Sequence, residues 1–400
     1  MEMEASLPEV SSTSWATFMT GVNPARHGIY GFMDLEPGTY KLYFPNSINI
    51  KSDTFWEILG REGKRSIVLN VPSTYPAKPL NGILTAGFVA IDLKKATYPE
   101  SAYQYLKGID YRMDVEAEKA AESLEALAEE IDFTFKKRRE AFLHFLRAEN
   151  WDLFIASVTE TDRLHHFLWV ALENKEHPLH SFFIDFYRKL DGLMGELSEV
   201  LEKDTGFFIV SDHGFTGIKQ EIYLNTYLRH KGNLRFKKEP PASLEEIAPD
   251  SRAFVLDPTR VYINLKDKYP SGIVSPGKEY NALRDELKDS LLNLTIEGDK
   301  VVKEVFCKED IYAGPYLSYA PDLVILANNG FDLKGSINKN DLFGRTIFTG
   351  AHTRNDAVFF VNQKITPPQA VNIIDVAPTI LSFMEIDSPS LDGHNLIQKN

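Results

Sequence analysis

Residues 206–214 read Gly-Phe-Phe-Ile-Val-Ser-Asp-His-Gly, an apolar run from Gly206 to Val210 that stops at the polar turn Ser211-Asp212-His213-Gly214. A run this short and this apolar suits a strand buried on both faces of a parallel sheet. Ligands collect beyond the strand ends of open α/β sheets, and a carboxylate beside an imidazole there offers the oxygen and nitrogen donors that suit zinc. The alternative is a turn in which Asp212 caps the backbone and Gly214 supplies the bend.

Working outward, the same kind of run recurs at Ser66 to Val71, Leu153 to Val158, Val261 to Leu265, Leu323 to Ala327 and Ala357 to Val361. Helical patterns fill the intervals at Thr54 to Gly60, Arg163 to Glu173, Ser181 to Glu202, Glu279 to Leu294 and Ile373 to Phe383. That alternation predicts a multilayer α/β sandwich with a mostly parallel sheet. From Asp114 to Glu149 the chain is rich in Ala, Glu, Lys and Leu, with Leu124, Leu127, Ile131 and Phe135 at helical spacing, which predicts an amphipathic excursion from the core. Between Lys231 and Asp257 it turns polar and includes Pro240 and Pro241, as a surface loop would.

Composition narrows the class. With 400 residues of which 43% are apolar, the chain can bury one large core or two smaller ones. A formal charge of −13 and the lack of a basic run argue against a nucleic-acid polymer as partner. Cys307 is the only cysteine, which rules out an internal disulfide and a thiolate zinc cage and fits a reducing cytoplasm. Met1 to Glu9 is acidic where a secretory signal would be basic, and no run of about 18 apolar residues offers a membrane span, so we expect a soluble, cytoplasmic protein without a membrane partner.

Three further segments carry chemistry. Thr161-Asp162-Arg163-Leu164-His165-His166 follows the run at Leu153, and if a helix starts near Asp162, then Asp162 and His166 share one face while His165 points about 100° away. Its bland reading is a capping Asp and an exposed His. His352, in the polar loop Gly350-Ala351-His352-Thr353-Arg354-Asn355, becomes a ligand candidate only because the other pieces need one more donor. Leu7 to Gly31 places Ser11, Ser12, Thr13 and Ser14 ahead of a Trp/Phe/Met run. A hydroxyl becomes a good nucleophile when a divalent metal lowers its pKa, yet Ser and Thr before a helix also serve as caps, and residue chemistry does not choose among the four.

Taken in order, these segments resemble the type I phosphodiesterase and nucleotide pyrophosphatase branch of the alkaline phosphatase superfamily. The resemblance rests on S-x-x-x-W-x-x-F-x-T-G-x-x-P-x-x-H-G-I, carried by Ser11, Trp15, Phe18, Thr20, Gly21, Pro24, His27, Gly28 and Ile29, on D-x-x-x-H at Asp162 and His166, on S-D-H-G, and on the late His352. It implies a single alkaline phosphatase-like catalytic domain over 1–400, an α/β multilayer sandwich with a helical insertion at about 98–150 and a polar loop at about 231–257. It also implies two divalent ions, zinc with manganese as the alternative. Asp162, His166 and His352 would hold the first; Asp212, His213 and the nucleophile would hold the second. Alignment on the downstream motif puts the nucleophile at Ser11 and makes His27 structural. The expected activity is hydrolysis of a small phosphoester, of diesterase type, with nucleotides among the candidate substrates.

Two departures from the family pattern stand out. Family members open with a strand ending in a metal-binding Asp, some thirty or more residues before the nucleophile, whereas here Ser11 has no such strand or Asp ahead of it, and Glu2, Glu4 and Glu9 sit in the wrong context. The expectation is a chain begun at an internal methionine of a longer protein. The other departure is Ser14, which occupies the position three beyond the nucleophile where the nucleotide pyrophosphatases carry a phosphate-contacting Asn. The alternatives are a phosphomonoesterase or phosphomutase, or a silent binding protein that lacks the opening Asp. A sulfatase is a poor fit, because Ser11 is not followed by the C/S-x-P-x-R signature.

Overall fold

Every residue of Ser66–Val71 is buried, as its apolar sequence dictates. It pairs in parallel with Gly82–Ala86 on one side and Leu153–Ala156 on the other. The computed structural model describes residues 1–365, 370–387 and 390–397. Beside this sheet lies a second ribbon in which Phe208–Val210 pairs antiparallel with Ala357–Val361, and Ala357–Val361 with Glu2–Met3. Glu2–Met3 is thus a short opening strand, followed by Glu4 and Ala5 and not by an Asp.

Four of the six apolar runs pair antiparallel, unlike the parallel reading of the runs: Phe208–Val210, Arg260–Ile263, Leu323–Ala327 and Ala357–Val361. The physical reasons differ. Only residues 257–259 separate Ala253–Leu256 from Arg260–Ile263, and a parallel crossover needs a dozen or more. In Ala357–Val361 burial alternates, with Ala357 and Phe359 inside and Val358 and Phe360 about half exposed, which is the one-sided pattern of an antiparallel strand.

Helices cover the sheets. Leu124–Ala148 starts at Ser123, whose hydroxyl accepts from the Ala126 N–H, and presents Leu127, Ile131, Phe135 and Phe142 to a core shared with Glu160–Glu173 and His180–Ser198. The helix Ser11–Thr20 packs in another core, with Phe55, Val68 and Ile373. It ends at Gly21, whose φ of 64° is the left-handed conformation that glycine adopts freely. The range expected as a polar loop, 231–257, ends in the buried strand Ala253–Leu256, which belongs to a third core with Arg260–Ile263 and Leu323–Ala327. Among the described residues, no helix is long and apolar enough to cross a membrane.

Candidate metal centre

The candidate residues arrive on four separate pieces of backbone. Ser11 is the first residue of its helix, whose N-terminal N–H groups suit an anion. Asp162 and His166 lie one turn apart on Glu160–Glu173, which begins at Glu160 with Thr159 in the capping position, so Asp162 is not the cap. Asp212 and His213 follow the end of Phe208–Val210. His352 stands on a strand, Gly350–Thr353, instead of a loop, and that strand pairs antiparallel with Gly214–Gly217 so that His352 faces Phe215 in register. The pairing carries His352 to the segment that holds His213.

The four clustered hydroxyls separate by environment. Ser12, Thr13 and Ser14 are buried; Ser14 Oγ shares a hydrogen bond with Ser6 Oγ at 2.8 Å, and Thr13 Oγ1 has no partner. Ser11 is partly exposed, with Oγ 3.1 Å from His213 Nε2. His213 Nε2 also lies 3.3 Å from Asp212 Oδ2.

The second group is tighter. Asp162 Oδ1 is 3.4 Å from His166 Nε2 and 3.3 Å from His352 Nε2, and the two Nε2 atoms are 2.9 Å apart. Donor atoms of these three residues all lie within 4.8 Å of one another, the one such His/Cys/Asp/Glu group of three among the described residues.

The three imidazoles are oriented alike. Nδ1 lies 3.0 Å from the Gly350 carbonyl in His166, 3.1 Å from that of Gly214 in His213 and 3.1 Å from that of Glu9 in His352. A carbonyl can only accept, so each Nδ1 carries the proton and each Nε2 turns a lone pair inward. Metal-binding histidines use this arrangement: the outer nitrogen donates to the protein and the inner one is left for the ion. Phe215 packs against all three rings, with centroids 5.0, 5.3 and 5.1 Å from those of His166, His213 and His352.

Charge favours the ligating forms. Burial pushes the His352 imidazole down to about 3, reinforced by His213, and burial also lowers His166. Burial alone would raise the Asp162 carboxyl, but the neighbouring His166, His352 and Arg163 outweigh it and hold Asp162 well below the usual carboxylate range. Neutral imidazoles and an ionised carboxylate are what a divalent cation requires. The Asp212 Oδ2 atom is buried with no hydrogen-bond partner, a lone pair without protein use. The residues therefore fit a divalent cation.

Other histidines do not join the site. His165 points away, its Nε2 bonded to Tyr187 OH at 2.9 Å, and His27 is fully buried between Thr17 and Ile29. Four neighbours escaped the sequence reading. Glu9, set aside for its context, is buried with one carboxyl oxygen unpartnered, and burial raises it to about 7. Phe215 immediately follows the S-D-H-G turn and Arg163 follows Asp162, adjacency that could have flagged both. Asp114 carries no such signal, since only folding brings it to Arg163.

The sequence profile of the type I phosphodiesterase / nucleotide pyrophosphatase family matches residues 1–354, from the Ser11 segment through His352. The chain belongs to this family. As a type I phosphodiesterase / nucleotide pyrophosphatase family member it is a phosphoester hydrolase. No curated protein matches its sequence. Solved structures that share the fold of this family member include a phosphonoacetate hydrolase and an ectonucleotide pyrophosphatase / phosphodiesterase. Phosphonoacetate hydrolase from Sinorhizobium meliloti 1021 with phosphonoformate is 15% identical with a TM-score of 0.61, covering 94% of this chain and 85% of its own. Murine ectonucleotide pyrophosphatase / phosphodiesterase 5 is 15% identical with a TM-score of 0.56, covering 98% and 88%. At that identity the likeness establishes the alkaline phosphatase-like fold.

Proposed function

We propose that the chain is a metal-dependent hydrolase of small phosphodiesters that uses Ser11 as nucleophile, with nucleotides among the candidate substrates. The observation that carries this reading is the common orientation of His166, His213 and His352, each with Nδ1 at a backbone carbonyl and Nε2 turned toward Asp162 or Ser11. Asp162, His166 and His352 would hold one divalent ion, and Asp212 and His213 with Ser11 a second; zinc suits these nitrogen and carboxylate donors, with manganese as the alternative. Bound ions would supply the positive charge that activates the hydroxyl and stabilises the leaving oxygen. His213 Nε2 and Ser11 Oγ stand 3.1 Å apart, so both donors would face the same ion. Oγ, its proton released to solvent, then attacks phosphorus in line as the bond to the leaving oxygen breaks and that oxygen takes up a proton to depart as the alcohol; water next attacks the phosphoserine, and the P–Oγ bond breaks with a proton returned to Oγ. The lone cysteine supports a cytoplasmic location.

A second reading has its own support. Among the described residues, Asp162, His166 and His352 are the one group of three such donors, and it includes neither Asp212 nor His213, as a silent protein with one ion would have it. Hydrolysis of bis-p-nitrophenyl phosphate by zinc-dialysed protein, compared with p-nitrophenyl phosphate, separates the two. The diester should be cleaved, and Ser11→Ala should lower the rate by at least about a thousandfold. A folded, zinc-loaded chain that cleaves neither ester would leave the silent binder standing.

A further inference from the structure

Asp162 presents two carboxylate oxygens to two different surroundings. Oδ1 faces His166 and His352. Oδ2 lies 3.3 Å from the guanidinium of Arg163, the next residue along the helix. Arg163 is itself held on its other edge: NH2 donates to Asp114 Oδ2 at 2.5 Å, Nε lies 3.4 Å from Asp114 Oδ1, and the guanidinium stacks over the Phe88 ring at 4.6 Å. Asp114 in turn accepts from the Val115 N–H at 2.9 Å, and Val115 is buried in the core built on the long helix Leu124–Ala148. The side chains of Arg163 and Asp114 are 16% and 21% exposed, so the pair is largely screened from water.

A lone arginine beside a cation site is electrostatically unhelpful, because like charges repel. Its presence between two carboxylates therefore asks for another reason. A planar fork that binds one carboxylate while lying flat on an aromatic ring has little rotational freedom. Such a group can fix the neighbouring carboxylate, leaving Oδ1 free for the ion.

We propose that Arg163, anchored by Asp114 and Phe88, is a positioning residue that holds Oδ2 of Asp162 so that Oδ1 is set for metal ligation. The inference rests on the metal reading above and adds an outer shell to it. It also gives the 110–116 segment a part in the reaction, since Asp114 is its contribution to the site.

Positioning and bare electrostatics give opposite signs. If Arg163 acts only as a charge, Arg163→Gln removes a repulsion and zinc binds more tightly, and Arg163→Lys changes little. If it positions Asp162, both variants weaken zinc by about tenfold or more, the usual scale for a lost outer-shell partner. Lysine keeps the charge and lacks the fork, so it is the variant expected to fold in every case. Calorimetric titration of the metal-free full chain with Zn2+ reads the affinity directly, and the thermal melt of the metal-free protein reads any merely structural loss. The expected result is a weaker first ion in both variants, an unchanged second ion, and non-additive losses when Arg163→Lys is combined with Asp114→Asn. Equal or tighter zinc binding by Arg163→Lys and Arg163→Gln, with wild type binding normally, would overturn the positioning role while leaving the metal site intact. Wild-type protein that binds no zinc would overturn both.

Discussion

At the scale of single residues, hydrogen-bond direction distinguishes histidines that sequence treats alike. His27 accepts the Ile29 N–H at Nδ1, so its proton sits on Nε2 facing Thr17 Oγ1, the opposite tautomer to the three site histidines. Protonating Nδ1 would discard an accepted bond inside a fully buried setting, and burial pushes this imidazole down to about 3. The linkage sign follows. An unfolded His takes up a proton near 6.5, so its stabilising effect is complete above that pH and is lost as pH falls from about 6.5 toward 3. Within that window this residue contributes a slope of about 1.4 kcal/mol per pH unit. His27→Asn, whose amide oxygen can still accept from Ile29, should reduce the slope of unfolding free energy against pH by about that amount between pH 4 and 6. Urea titrations of metal-free protein at several pH values would read it, and an unaltered slope would refute the buried neutral tautomer.

At the scale of elements, sequence pattern reached the strands and helices better than their partners. Asp162 and His166 were legible as a pair because four residues make one helical turn, and the helix Glu160–Glu173 puts both on one face. The position of His352 was not legible. Its strand is only Gly350–Thr353 and its pairing with Gly214–Gly217 joins residues more than 130 apart, which no local period records. The hydroxyl choice was likewise closed to local chemistry, since Ser11 differs from Ser12, Thr13 and Ser14 only in which way the helix turns it. The long helix hides a similar surprise. Arg138, in an ordinary charged run, is fully buried, with Nε bonded to the equally buried Glu160 at 2.6 Å and NH1 to Tyr111 OH at 2.6 Å. One Glu160 oxygen has no partner, so the pair is imperfectly satisfied. Arg138→Met should cost about 3–5 kcal/mol because it strands a buried carboxylate, whereas adding Glu160→Leu should return much of that loss. Chemical denaturation of the single and double variants tests this; a double variant no more stable than the single would mean that the pair itself is worth keeping.

At the scale of the whole molecule, the site is a crossing point of distant chain segments. Ser11, Asp162, Asp212 and His352 come from the beginning, middle and end of the chain, and the elements that carry Ser11, Asp162 and Asp212 are packed in two separate cores. In the unfolded chain those donors are far apart, so an ion held by them binds the native state alone and adds stability by mass action. Free zinc at a hundredfold excess over its dissociation constant should add about 2.7 kcal/mol, reversed by a chelator. His352→Ala should abolish most of the gain, because it removes the donor that ties Gly350–Thr353 to the helix of Asp162. Ser11→Ala should retain most of it, since the three-donor group does not include Ser11. Thermal melts of the three proteins with zinc and with chelator distinguish a site that organises the fold from one that merely decorates it: equal zinc gains in wild type and His352→Ala would place the bound ion elsewhere on the molecule.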